Sequence, residues 1–149
     1  MFEEKIKDFL SYLKTVKQLS HNTTDSYERD LGKLLYFLSN SGIKSWQEVK
    51  ESDIRIYVNK ERRRGLSPRS IQRILSSYRS FFNYLLQEQL IDKSPAENIS
   101  SPKSPSLLPK AMDADLVQRL LDFKPKGMFE VRDKAIAELL YSSGLRLSE

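Results

Sequence analysis

Apolar residues recur at three- and four-residue intervals through most of this chain, and strict alternation is almost absent, so helices rather than strands are expected. Phe2, Ile6, Phe9, Leu10 and Leu13 form the first such stripe. A second helix runs from Thr23 to Asn40 with Tyr27, Leu31, Leu34, Leu35 and Leu38 on one side, and Gly42 ends it. Trp46 falls in a connection before a third helix, which Ser52 or Asp53 caps and which carries Ile54, Tyr57 and Val58. Ser67-Pro68 is a strong start signal for the fourth, because Ser accepts from the free N–H groups of the first turn and Pro is preset for the first helical position. That helix buries Ile71, Ile74, Leu75, Tyr78, Phe82, Leu85 and Leu86. Four amphipathic helices with short connections over residues 1–91 predict a compact bundle.

The pattern changes after Ile91. Residues 92–112 hold Pro95, Pro102, Pro105 and Pro109 with five serines, a composition that resists helix and predicts an extended linker. Helical spacing resumes after Asp113, the expected cap of a helix carrying Leu116, Val117, Leu120 and Leu121, and a further helix is expected from Phe129 to Ser142. Residues 113–149 are too few to bury a core of their own, so they are expected to be the incomplete opening of a second domain.

Composition narrows the chemistry. Zero cysteines exclude disulfides, cysteine nucleophiles and cysteine-bound zinc, and the single histidine, His21, excludes a histidine metal cluster. His21 itself, in Ser20-His-Asn-Thr-Thr24, is expected to be an exposed neighbour of a helix cap rather than a general base. No apolar run approaches the roughly 20 residues needed to span a bilayer, and the Met-Phe-Glu-Glu-Lys start lacks the basic, apolar pattern of a signal peptide. No membrane association is therefore expected, and the cytoplasm is the simplest compartment. The excess of 25 Lys+Arg over 20 Asp+Glu permits a nucleic-acid partner without requiring one.

The distribution of that charge says more. Around the fourth helix, Arg69, Gln72, Arg73, Ser76, Ser80, Asn83 and Gln87 share the arc opposite the apolar stripe, with Arg79 at its edge. No acid interrupts this arc before Glu88, and its arginines, hydroxyls and amides are groups that contact phosphates and base edges. Solvated helices usually mix signs, which favours a DNA face here. Arg62, Arg63 and Arg64 add three cations just upstream, although a basic last turn also simply complements the helix dipole. The second helix repeats the pattern with Asn22, Ser26, Arg29, Lys33 and Asn40, with Tyr36 beside them, but Asp25, Glu28 and Asp30 lie close enough to pair with Arg29.

The last residues suggest chemistry of another kind. An apolar helix ends at Ser143-Gly144, and Arg146 follows two residues past the glycine. A left-handed glycine ends a helix cheaply, and the guanidinium behind it suits bidentate phosphate binding. No Walker loop, dinucleotide fingerprint or hydrolase elbow appears.

The stretch RDKAIAELLYSSGLRLSE resembles the first catalytic-arginine motif of the tyrosine recombinases (phage integrase family), especially the Xer branch. The stretch LSHNTTDSYERDLGKLLYFL is similar to that family's opening pattern through Ser20, Thr23 or Thr24, Tyr27, Asp30-Leu31 and Phe37-Leu38. LSPRSIQRILSSYRSFFNYLLQEQLIDKSPAENI resembles its fourth helix and linker exit, and LPKAMDADLVQRLL its entry into the catalytic domain. The resemblance covers nearly the whole chain. It implies an all-α fold: a four-helix SAM-like core-binding bundle, a Pro/Ser-rich linker, and the first helices of a truncated catalytic domain. It further implies site-specific strand exchange on double-stranded DNA through a 3′-phosphotyrosyl link, without metal or nucleotide cofactor. By this resemblance Arg146 matches the first catalytic arginine and Glu149 the supporting acid three positions on, while the remaining catalytic groups have no counterpart here. The resemblance also implies a tetramer on two DNA sites for the full-length enzyme, with a monomeric, catalytically inactive fragment. Chromosome dimer resolution, promoter inversion and mobile-element transfer all remain open as biological roles. Two other classes fit the residues: a helical protein-interaction module, and an inactive DNA-binding adaptor.

Overall fold

The computed structural model describes residues 2–103 and 112–146. Among the described residues there are six α-helices, one 3-10 turn and no strand. No helix among them is long and apolar enough to cross a membrane. The chain divides into two compact units, Met1–Pro105 and Ser106–Glu149.

The first unit is built from α1 (Phe2–Thr15), α2 (His21–Asn40), α3 (Glu51–Arg63) and α4 (Pro68–Gln87), with a 3-10 turn at Trp46–Glu48. Each helix turns its apolar stripe inward. Phe9 and Leu13 of α1, Leu31, Leu34 and Leu38 of α2, Ile54 of α3, and Ile71, Leu75, Tyr78 and Leu85 of α4 are buried together. Fully burying one such side chain stabilises by roughly 1.5–3 kcal/mol.

Trp46 joins the core through edge contacts with Phe2 (4.6 Å) and Phe81 (4.7 Å), and its indole N–H donates to the Phe2 carbonyl at 3.2 Å. Phe81, not on the expected core stripe, is completely buried between Phe9 and Trp46, whereas Leu86 is only half-buried. Adjacent residues Phe81 and Phe82 both point inward because α4 is enclosed on more than one side.

Local signals explain the helix ends. Ser67 caps α4 as expected, accepting from the Ser70 N–H at 3.2 Å, with Pro68 in the first turn. The cap of α3 differs from expectation. Lys50 is the capping position, and Asp53 lies one turn inside, reaching back to accept from the Lys50 N–H at 2.8 Å. Carboxylates are favourable there because they face unpaired N–H groups.

The first part of the expected linker, from Asp92, packs against the bundle. Ile91, Ser94, Ala96 and Ile99 are buried, so residues 92–103 form a strap packed on the bundle. Prolines prevent helix without preventing packing, and apolar residues at irregular spacing carry no periodic signal. Residues 104–111 of the expected linker lie outside the described residues.

The second unit contains α5 (Ala114–Leu121) and α6 (Met128–Ser143), close to their expected spans. Lys134 donates to the Phe123 carbonyl at 3.0 Å, and Glu130 accepts from the Lys126 N–H at 2.7 Å. No described residue of either helix is buried. α6 ends on Gly144 at φ 66°, the left-handed cap expected from the sequence.

Candidate nucleic-acid interface

The residues singled out on α2 and α4 separate into distinct surfaces. The N-terminal halves of the two helices border a shallow groove of about 480 Å³ that brings together Asn22, Ser26, Arg69, Gln72, Arg73 and Ser76. Arg69 and Ser76 are exposed, and Asn22 stands at the open start of α2. Two helices thus offer a cation, a second paired cation, two hydroxyls and two amides along one face, a set suited to sugar-phosphate oxygens and base edges.

Arg73 departs from expectation. Its guanidinium donates to the carboxylate of Asp30, which α2 places in the core at 3% side-chain exposure. The acid-free arc of α4 therefore meets an acid from the neighbouring helix. A view along one helix contains only that helix's residues, so this partner was not visible there. Burial pushes the Asp30 carboxyl above the ordinary carboxylate range, and the attraction of Arg73 opposes that rise. Arg73 keeps 44% of its side chain exposed and still borders the groove. Arg29 donates instead to Ser26 Oγ at 3.3 Å.

A second groove, about 670 Å³, lies between α2 and α3. It gathers Arg29, Lys33 and Arg64 with Lys60, a cation that sequence reasoning missed although it stands one helical turn before Arg64. Lys60 sits over the Phe37 ring at 5.4 Å. Arg64 bonds to buried Glu61 at 2.9 Å, so three cations in this groove remain beyond that pair. Tyr57 lies deeper, its hydroxyl pushed up to about 12 by burial, and Tyr78, still more enclosed, is also raised. Arg62 and Arg63 are exposed at the end of α3, and neither lines either groove.

Two expected contacts lie elsewhere. Ser80 is half-buried beside Phe9 and Tyr12 of α1, in a separate groove. Arg79 is turned onto the strap, bonding to the carbonyls of Ala96 (3.3 Å) and Ile99 and to Ser101 Oγ (3.4 Å). His21 is exposed and paired with Asp25 at 2.7 Å, consistent with a cap neighbour. In the second unit, Arg146 is exposed just beyond the Gly144 cap, and Glu149 lies outside the described residues. Among the described residues no group of three or more His, Cys, Asp or Glu is placed to hold a metal ion.

The class to which this helical bundle belongs is given by family comparison. Residues 6–89 match the phage integrase N-terminal SAM-like domain, and the chain belongs to that family of tyrosine recombinases. Its relatives place it on the Xer branch. It is 40% identical over 144 residues to the tyrosine recombinase XerC of Salmonella typhi, covering 97% of this chain and 48% of that protein. It is 42% identical to XerC of Xanthomonas campestris pv. campestris strain B100, covering 97% and 45%, and 39% identical to that of Escherichia coli O1:K1, covering 97% and 48%. The chain therefore spans about half the length of the curated relatives it matches.

Proposed function

We propose that this chain is the DNA-binding part of a site-specific tyrosine recombinase, joined to the opening of its catalytic domain. The observation that carries the reading is the convergence of α2 and α4 on one polar groove, within a sequence about 40% identical to XerC over 97% of its length. The groove of Asn22, Ser26, Arg69, Gln72, Arg73 and Ser76 lies against double-stranded DNA. Exposed Arg69 neutralises a phosphate, Arg73 adds a weaker, Asp30-compensated attraction, and the amides and hydroxyls fix register. Arg29, Lys33 and Lys60 of the α2–α3 groove, with Arg62 and Arg63 beyond it, extend the positive surface along the backbone.

In the whole enzyme, Arg146 grips the scissile phosphate through its planar fork, stabilising the charge that develops as a tyrosine hydroxyl displaces the 5′ oxygen. Glu149 supports that arginine. Phosphate activation by arginine requires neither metal nor nucleotide. Tyr57 and Tyr78 are not the nucleophile, since both are buried in the bundle core, out of reach of a DNA phosphate. The chain alone binds DNA without cutting it, and four copies of the whole enzyme assemble on two sites to exchange strands, with chromosome dimer resolution as the biological role. Extending the chain with its downstream sequence and assaying nicking of supercoiled DNA tests the catalytic half. Arg146→Ala abolishes nicking and spares most binding; undiminished nicking by that variant overturns the assignment.

A further inference from the structure

We propose that Arg79 is a positioning residue: it clamps the strap onto α4 and through it holds Gln72 in the DNA groove, without touching DNA itself. This rests on the DNA-binding reading above. Arg79 spends its donors within the protein, with Nε on the Ala96 carbonyl, Nη2 on the Ile99 carbonyl and Nη1 on Ser101 Oγ. A guanidinium is suited to this because its planar donors reach several acceptors at once, and charged donors make the stronger hydrogen bonds. Ala96 and Ile99 are buried on the same stretch, so the strap is held by both packing and polar contacts.

The link to the groove is Gln72. Its Nε2 donates to the Pro102 carbonyl at 2.7 Å, while the residue also lines the groove with Arg69 and Arg73. Arg79 stands seven residues, two helical turns, further along α4. Docking of the strap therefore fixes the rotamer of a groove residue that would otherwise be free. Binding energy that favours the ordered groove must, by reciprocity, also favour the docked strap. The DNA-binding unit on this view extends to Lys103, not to the end of α4.

Charge and clamp separate experimentally. Glu97 lies exposed within the strap, so a glutamate-specific protease reports strap opening in the free chain. Arg79→Gln is expected to raise the rate of cleavage after Glu97 roughly tenfold, the factor for losing one charge-assisted hydrogen bond. It should also weaken affinity for a mixed-sequence DNA duplex about fivefold, at the low end of inter-site coupling. The slope of log affinity against log salt should not change, because no phosphate contact is lost. Arg69→Gln should do the reverse, reducing the slope by about 0.9 while leaving cleavage after Glu97 unchanged. Arg79→Lys keeps the charge but not the fork, and should be cleaved like Arg79→Gln. Trp46 fluorescence during thermal unfolding checks that each bundle is folded. The proposal is overturned if Arg79→Gln is cleaved at the wild-type rate, or if it lowers the salt slope as much as Arg69→Gln. If the wild-type chain ignores DNA altogether, the DNA-binding reading fails, and cleavage after Glu97 still decides whether Arg79 is the clamp.

Discussion

The two units obey the same helical spacing and differ completely in what they do with it. In the first, Phe9, Leu34, Ile54, Phe81 and Leu85 meet from four helices and leave solvent. In the second, Leu120, Met128, Phe129, Ile136 and Leu139 keep between about half and most of their surface exposed. Periodicity predicts a helix; only a partner for its apolar face makes a domain. The first unit therefore carries its own stability, whereas α5 and α6 present a face that two helices cannot enclose.

Matched substitutions sharpen that contrast, the largest effect lying in the aromatic core. Phe81→Ala empties a site between Phe9 and Trp46 and should cost about 4 kcal/mol by denaturant unfolding. Leu139→Ala in α6 removes a comparable side chain from a surface. In this chain it should change the main transition by less than about 0.5 kcal/mol. A Leu139 effect near that of Phe81 would mean that the second unit is packed after all.

The Asp30–Arg73 pair should give the next largest effect, and an asymmetric one. Arg73→Ala leaves a buried carboxylate without its cation, costing about 3 kcal/mol near neutral pH. Asp30→Asn leaves a half-exposed guanidinium that water can solvate, so the loss should be smaller. The pH dependence follows from the raised folded-state pKa of Asp30. For an acid raised on folding, the ionised form is the costlier one in the fold, so stability improves as pH falls through that folded value. Removing Arg73 raises it further. The penalty of Arg73→Ala should accordingly be greatest at neutral pH and shrink on acidification through the Asp30 pKa, measured as thermal midpoints across the acid range.

A smaller effect is expected at the α3 cap. Asp53→Ala removes the carboxylate that accepts from the Lys50 N–H and should cost about 1 kcal/mol, whereas Ser52→Ala, one residue earlier, should be nearly silent.

What the sequence disclosed follows from what periodicity encodes. Each of the bundle's apolar stripes, the Ser67-Pro68 start of α4 and the glycine end of α6 were legible because each is a local signal. The grouping of Asn22 and Ser26 with Arg69 and Arg73 was legible only in part. Helical phase puts each set on one face of its own helix, but the packing of α2 against α4 decides which sets meet. Asp30 beneath Arg73, Arg79 on the strap and the inward turn of Phe81 were illegible for one common reason. Each depends on a neighbour 17 or more residues away, and no spacing rule reaches that far.

The proposed seating of the bundle's polar grooves on a polyanionic duplex is tested by a salt titration of duplex binding by this chain and by Arg69→Ala. Log affinity should fall in a straight line with log salt, with a slope shallower in the variant by about 0.9, one phosphate's share of counterion release. Affinity indifferent to salt, or the same slope in both proteins, would contradict it.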